Sequence, residues 1–353
     1  MKLGTSLDQF VRPNIRALEP YHCARETVQS GLLLDANENP FPRWQSDVQL
    51  NRYPDPYQRN LRRALAERVG VAEDMVLAGS GSDEVLDWLF KVFDLTSGVA
   101  IAEPTYGMYR VLADIYGVPV VETRLDDRFR FSAEAFLNSV PPAVRLLFVC
   151  SPNNPTGNLL DAEEILKVAR RWDGIVVVDE AYIEFAGTDS LAKQVPDLEN
   201  LLVLRTLSKA FGRAGIRLGY IIASPSIIAY LLKVKAPYNL NVWVMEEGLR
   251  AVLSEPETLR EVRLILCERE RVRGRLAELP GVTEVFPSDA NFVLFRCRDA
   301  EEVCAALMSR QIVLRDRSRI RGLGNCVRMT IGTPEENDIA LRELAGILEK
   351  GRE

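Results

Sequence analysis

Lys209 stands where a greasy stretch ends. In "LLVLRTLSKAFGRAGIRLGY" (201–220) a β-like run breaks into Thr206, Ser208 and Lys209, ahead of Arg213 and Arg217. Lysine is costly to bury unless it is paired or chemically used. A carboxylate sits in a matching place: Asp179 closes the apolar run of "VVVDEAY" (176–182). Unpaired there it would be expensive, so it calls for a cation, either Lys209 or a cationic ligand. A structural ion pair is the plainer alternative.

Three further polar clusters end apolar runs. "GSGSDE" (79–84) leads into a helical pattern. Its glycines allow close backbone approach, Ser82 is a natural N-cap, and a helix start suits a phosphate. Plain capping, with Asp83 and Glu84 favouring the positive helix end, explains it equally well. In "EPTYGMY" (103–109), Tyr106 could stack on a planar ligand or simply pack. "CSPNNPTG" (150–157) sets two prolines around Asn153 and Asn154, the composition of a tight turn.

The elements that must hold these residues alternate. "YQRNLRRALAERVG" is an amphipathic helix stopped by Gly70, and "DEVLDWLFKVFD" puts Val85, Leu86, Leu89, Phe90 and Phe93 on one helical face. "GVAIAEP", "RLLFVCSP", "GIVVVDE", "LLVLRT" and "LGYIIAS" read as short buried strands, with helices such as "DAEEILKVARRW" between several of them. That alternation predicts an α/β fold with a mostly parallel sheet covered on both faces, whose ligands bind beyond the carboxyl ends of the strands. Beyond Pro237 the pattern turns to α+β. The expected division is an N-terminal arm over 1–30, a large domain over 31–240 and a smaller one over 241–353.

Composition narrows the function. The chain has 353 residues, 47% hydrophobic and 27% charged, with a net charge of −6. An acidic balance argues against a nucleic-acid surface, and the arginines of "ERERVRGR" (268–275) are interleaved with acids. Six cysteines form no C-x-x-C pair and read as reduced thiols of a cytoplasmic protein. One histidine, His22, leaves no multi-histidine metal site, and no metal is expected. An uncharged run of 15 residues, Leu218 to Leu232, is broken by Pro225 and too short for a membrane helix. The first residues contain no apolar core of a secretory signal. No G-x-G-x-x-G fingerprint supports a nicotinamide oxidoreductase, and no G-x-x-x-x-G-K-[ST] loop occurs.

Taken in order, "RALEPY" (16–21), "LDANENP", "RYPDP", "GSGSDE", "PTYGMY", "CSPNNPTG", "VVVDEAYIEF", "LRTLSKAFGRAGIRLGY" and "VRMTIGTPEEN" resemble the class I/II aminotransferases of fold type I, which use pyridoxal 5′-phosphate. Within that group the chain is similar to the histidinol-phosphate aminotransferases, over nearly its whole length. The resemblance implies that Lys209 carries the cofactor through a Schiff base and moves the substrate proton. It implies that Asp179 pairs with the ring nitrogen and that Asn154 and Tyr182 bond the ring oxygen. Tyr106 would stack on the ring, while Ser82, Asp83, Thr206, Ser208 and Arg217 hold the phosphate. Arg328 would grip a substrate carboxylate, with Tyr21, Asn37 and Arg315 on the substrate side. Tyr53 would reach the neighbouring subunit's site, which makes the active unit a homodimer. Arg213 departs from the family pattern, where an apolar residue is usual. A sister enzyme remains the near alternative, an aromatic-amino-acid aminotransferase or a threonine-phosphate decarboxylase. A non-catalytic, cofactor-binding regulatory dimer is the alternative of another class; it would usually carry an extra DNA-binding segment, which the acidic balance and the short N-terminal arm argue against.

Overall fold

The computed structural model describes residues 7–26, 30–42 and 49–350. Its main sheet has seven strands: β1 (Val76–Ser80), β2 (Val99–Glu103), β3 (Val120–Arg124), β4 (Leu146–Cys150), β5 (Ile175–Asp179), β6 (Leu201–Thr206) and β7 (Leu218–Ile222). Their spatial order is β1-β7-β6-β5-β4-β2-β3. β7 runs antiparallel to both neighbours and every other pair is parallel. The period-two alternation of a strand divides the apolar residues between two cores. Leu147, Val149, Val176 and Val178 enter one, and Leu146, Phe148, Ile175 and Val177 enter the other. With both faces covered there is no polar side, which is why these strands read as continuous apolar runs.

A second sheet is antiparallel, with β8 (Val282–Val285), β9 (Phe292–Cys297), β10 (Arg315–Asp316) and β11 (Cys326–Thr330) in the order β10-β11-β9-β8. One of its faces sends Val293, Phe295, Val327 and Met329 into a small core with Leu341 and Leu344. The other face carries Arg296 and Arg328 toward a cleft between the two sheets.

The helix Val242–Leu253 packs Ala251 and Val252 into the large core. The long helix Glu255–Glu278 then crosses between cores, with Val262 in the large one and Val272 and Leu276 in the small one. Of the expected arm, Leu7, Phe10 and Val11 pack against the large domain, where Val11 bridges Phe93. Residues 1–6 and 27–29 of that arm lie outside the described residues, as do 351–353 of the small domain. Among the described residues, no helix is long and apolar enough to cross a membrane.

Candidate active site

The cleft, of about 1270 Å³, opens at the carboxyl ends of the parallel strands. Asp179 is the last residue of β5 and is almost fully buried. Its Oδ2 accepts the Tyr109 hydroxyl at 2.8 Å and its Oδ1 accepts the Ala181 amide at 3.1 Å. Burial pushes its pKa up to about 6, against the lowering effect of those two donors. The expected alternative of a direct ion pair with Lys209 does not form. Asp179 therefore keeps a buried carboxylate supported by neutral donors, with no cation of the chain in contact.

Lys209 follows β6 after a short turn. Thr206 builds that turn: its Oγ1 accepts the Ser208 amide at 3.1 Å and donates to the Leu218 carbonyl at 3.1 Å. The lysine Nζ lies 5.7 Å from the Tyr182 ring centroid. Burial first, and then the Arg328 charge, lower the lysine's pKa. Both influences favour the neutral amine, the form a proton acceptor needs.

The β1 end forms a cradle. The helix Gly81–Val92 starts with Ser80, not Ser82, in the N-cap position. The Ser80 amide is taken by Glu84 Oε2 at 2.5 Å, so the capping expected of Ser82 is done from the first turn by a glutamate. Ser82 is left in the cleft wall with Asp83. Gly81 has φ +77°, and a Cβ there would lie 2.6 Å from Arg217 Nη2. A Cβ on Gly219 would lie 2.3 Å from the Ser82 nitrogen. Both glycines hold open the approach of β7 to the helix start. Arg217, itself left-handed at φ +55°, brings its Nη2 to 3.7 Å from Asp83 Oδ2.

The remaining wall is aromatic and cationic. The Tyr106 hydroxyl donates to Asp83 Oδ1 at 3.1 Å. Tyr182 is buried and meets Phe292 edge-on, with centroids 5.2 Å apart. Asn154 Oδ1 accepts from Arg328 Nη1 at 2.5 Å, a link from the large sheet to the small one. Arg315 and Arg328 are cross-strand partners on β10 and β11.

Ser82, Asp83, Tyr106, Asn154, Asp179, Tyr182, Thr206, Ser208, Lys209, Arg217, Arg315 and Arg328 all line this one cleft. Tyr21, Asn37 and Tyr53 do not. Tyr21 is exposed, Asn37 adopts φ +55°, and Tyr53 stacks on Tyr238 with centroids 4.4 Å apart. Tyr109 was missed. It lies three residues beyond Tyr106 in "PTYGMY", in the first turn of the helix Met108–Ile115, but burial rather than motif gives it its role. The unusual Arg213 is accounted for by its Nε, 2.8 Å from Glu247 Oε1 on the helix Val242–Leu253.

A planar cationic ring with a phosphate fits this site: Asp179 is a buried anion without a cation, Lys209 a depressed amine within the same cleft, and the Gly81–Arg217 cradle an opening that a side chain would fill. The chain belongs to the class I and II aminotransferases: the family described as "Aminotransferase class I and II" matches residues 29–344. Within that class it is similar to the histidinol-phosphate aminotransferase of Parabacteroides distasonis, 43% identical over 343 residues that cover 96% of this chain and 98% of that one. The histidinol-phosphate aminotransferase of Bacteroides fragilis is 40% identical over 350 residues, 98% of this chain and 99% of that one. The crystal structure of the histidinol-phosphate aminotransferase from Clostridium acetobutylicum superposes with a TM-score of 0.79 at 27% identity, covering 85% of this chain and 92% of the other. L-threonine-O-3-phosphate decarboxylase from Porphyromonas gingivalis shares the fold, with a TM-score of 0.74 at 24% identity over 85% of this chain and 91% of the other.

Proposed function

We propose that this chain is a pyridoxal 5′-phosphate-dependent transaminase that exchanges an amino group between histidinol phosphate and 2-oxoglutarate, a step of histidine biosynthesis. The observation that carries the reading is near-full-length similarity to relatives of that name, combined with an intact buried Asp179–Tyr109 pair beside Lys209.

When bound, the cofactor supplies an electron sink for the substrate Cα–H bond. Asp179 would pair with the ring nitrogen and favour its protonated form. Lys209 takes the proton from the substrate Cα, its amine's proton affinity lowered by burial and by the Arg328 charge. Asn154 and Tyr182 would hydrogen-bond the ring oxygen. Tyr106 would cover the ring face, and Ser82, Asp83, Thr206, Ser208 and Arg217 would hold the cofactor phosphate. Arg328 binds the α-carboxylate of glutamate through a guanidinium fork. Histidinol phosphate has no α-carboxylate, so its phosphate takes the same arginine, reinforced by Arg315.

The reading extends to a homodimer in which Tyr53 from a second copy completes the substrate side, joined by Tyr21 and Asn37. Its support is that Tyr53 is half exposed and outside its own cleft. It also places the enzyme in the cytoplasm, supported by six cysteines that are all free.

Single-turnover spectroscopy with glutamate, histidinol phosphate and histidinol tests the assignment. Fast reaction with the first two and slow reaction with histidinol is expected. Equal reaction with histidinol points to an aromatic-amino-acid aminotransferase, and carbon dioxide release from threonine phosphate to the decarboxylase. For the dimer, inactive Lys209→Ala and Tyr53→Ala proteins should regain partial activity once their subunits exchange. Exchange without activity rejects the shared site.

A further inference from the structure

Arg62, Arg68, Arg205, Arg273, Arg317 and Arg328 each hold a buried Nε that makes no hydrogen bond. Most of them are compensated elsewhere on the guanidinium. Arg68 and Arg205 place another nitrogen on Glu184, and Arg273 on Glu270. Arg62 donates to the Tyr57 and Glu73 carbonyls, and Arg328 to Asn154. Among the described residues, the Arg317 guanidinium has no hydrogen bond and no ion pair. Its neighbour Asp316 is turned to Ser318, accepting from the Ser318 amide at 2.7 Å and from its hydroxyl at 2.5 Å.

The register explains where Arg317 sits. Arg315 pairs with Arg328 and Asp316 with Val327. The Arg317 amide then donates to the Cys326 carbonyl at 2.8 Å, which carries the ladder one residue further. Residues two apart on a strand share a face, as do directly opposed partners. Arg315, Arg317 and Arg328 therefore occupy one face of the small sheet, and all three line the cleft. Like charges so placed repel. Burial, then Arg328 and Arg315, lower the proton affinity of Arg317. Three guanidiniums without a carboxylate among them form an arrangement that an anion of high charge would relieve.

We propose that Arg317 is a third guanidinium of the substrate phosphate seat, and that with Arg315 and Arg328 it selects a phosphomonoester dianion over the uncharged alcohol. This rests on the functional reading above. A phosphomonoester carries about −1.5 to −2 charge at neutral pH and three acceptor oxygens. A carboxylate carries one charge and is served by a single fork. The third arginine thus favours phosphate over carboxylate.

The test uses cofactor-loaded enzyme, so that the Ser82–Arg217 cradle is filled, and titrates inorganic phosphate by calorimetry. The parent should bind phosphate, and Arg317→Gln should bind it about tenfold or more weakly, the loss of a charge-assisted hydrogen bond. Arg317→Lys should recover part of the affinity, because it restores the charge without the fork. The preference for histidinol phosphate over histidinol in kcat/KM should fall with it, and glutamate kinetics should change less. Equal phosphate affinity in the parent and both variants, or none in the parent, overturns the proposal. If the parent fails to distinguish histidinol from its phosphate, the functional reading fails instead, and the phosphate titration still decides the role of Arg317.

Discussion

Arg205 and Arg328 are both largely withdrawn from water, yet their surroundings differ in kind. Arg205, on β6, donates to Glu184 at 2.6 Å, and Arg68 shares that carboxylate at 3.5 Å while reaching Glu255 at 3.0 Å. Burial lowers the proton affinity of Arg205, but Tyr220, Glu184 and Glu180 outweigh it and hold the charge firmly. Arg328, on the cleft side, has no carboxylate partner among the described residues; it donates to the amide oxygen of Asn154 and lies over the Phe292 ring. Burial and Arg315 lower its proton affinity, with Tyr182 the opposing influence. A buried charge compensated within the chain belongs to the framework, because removing one partner strands the other. A buried charge left uncompensated is held in readiness for a ligand, at some cost to the empty protein. Loss of a framework arginine should thus show in stability, and loss of a cleft cation in kinetics.

The largest effect on the cleft side should come from Lys209→Ala. Removing the proton carrier should cost about 10²–10⁴-fold or more in the rate of the glutamate half-reaction, measured in a single turnover. Its thermal midpoint should stay near that of the parent. Retained turnover would remove Lys209 from the mechanism.

Arg205→Ala should move the other observable. Removing the nearer of the two arginines on buried Glu184 should destabilise the fold by up to about 3–5 kcal/mol, read by chemical denaturation, while the folded fraction keeps the parental KM for glutamate. A kinetic defect without loss of stability would erase the distinction between the two arginine groups.

Arg328→Gln should be smaller and opposite in kind. Both half-reactions should lose about 10- to 150-fold in kcat/KM, the worth of a charge-assisted hydrogen bond. Unfolding free energy should hold or rise, because a like-charge contact with Arg315 is removed.

Asp179 sharpens the contrast through pH. Its folded value of about 6 lies above the ordinary 3.8. Between those values the folded protein keeps a proton that the unfolded chain has lost, so the stability from this carboxyl is greatest below about pH 4 and falls as pH rises through 6. In cofactor-free protein, the stability of the parent relative to Asp179→Asn should decline across that window. A flat difference contradicts the assignment. Turnover of the cofactor-saturated variant should be largely lost.

The smallest effect should be that of Arg213→Leu, which restores the usual family residue type. Its part-exposed pair with Glu247 contributes about 0–1 kcal/mol, so stability and kcat/KM should both stay close to parental values. A tenfold kinetic loss would bring Arg213 into the site.

Motif and pattern made much of the cleft legible beforehand. Asp179 could be singled out because a carboxylate ending an all-apolar strand is expensive, and Lys209 for the same reason. Tyr109 was not legible, because a tyrosine in an amphipathic segment reads as packing until its hydroxyl is found on Asp179. The N-cap was read two residues late, since Ser80 and Ser82 differ in sequence only by position and backbone angles decide between them. Arg317 lies within "LRDRSRIRG", where alternating charges suggest a solvated edge.

The sequence by itself determined the element types, the apolar partition of the strands and the order in which the polar clusters occur. Those depend on local periodicity and composition, which a single chain displays. Only the tertiary structure decided which charges are compensated. Glu184 lies 21 residues from Arg205 and becomes its partner, whereas Asp316 adjoins Arg317 and does not. Strand register puts Arg315, Arg317 and Arg328 on one face, and the crossing helix Glu255–Glu278 brings that face opposite Lys209. Electrostatic compensation depends on distance in space and on dielectric surroundings, and neither is a property of sequence separation.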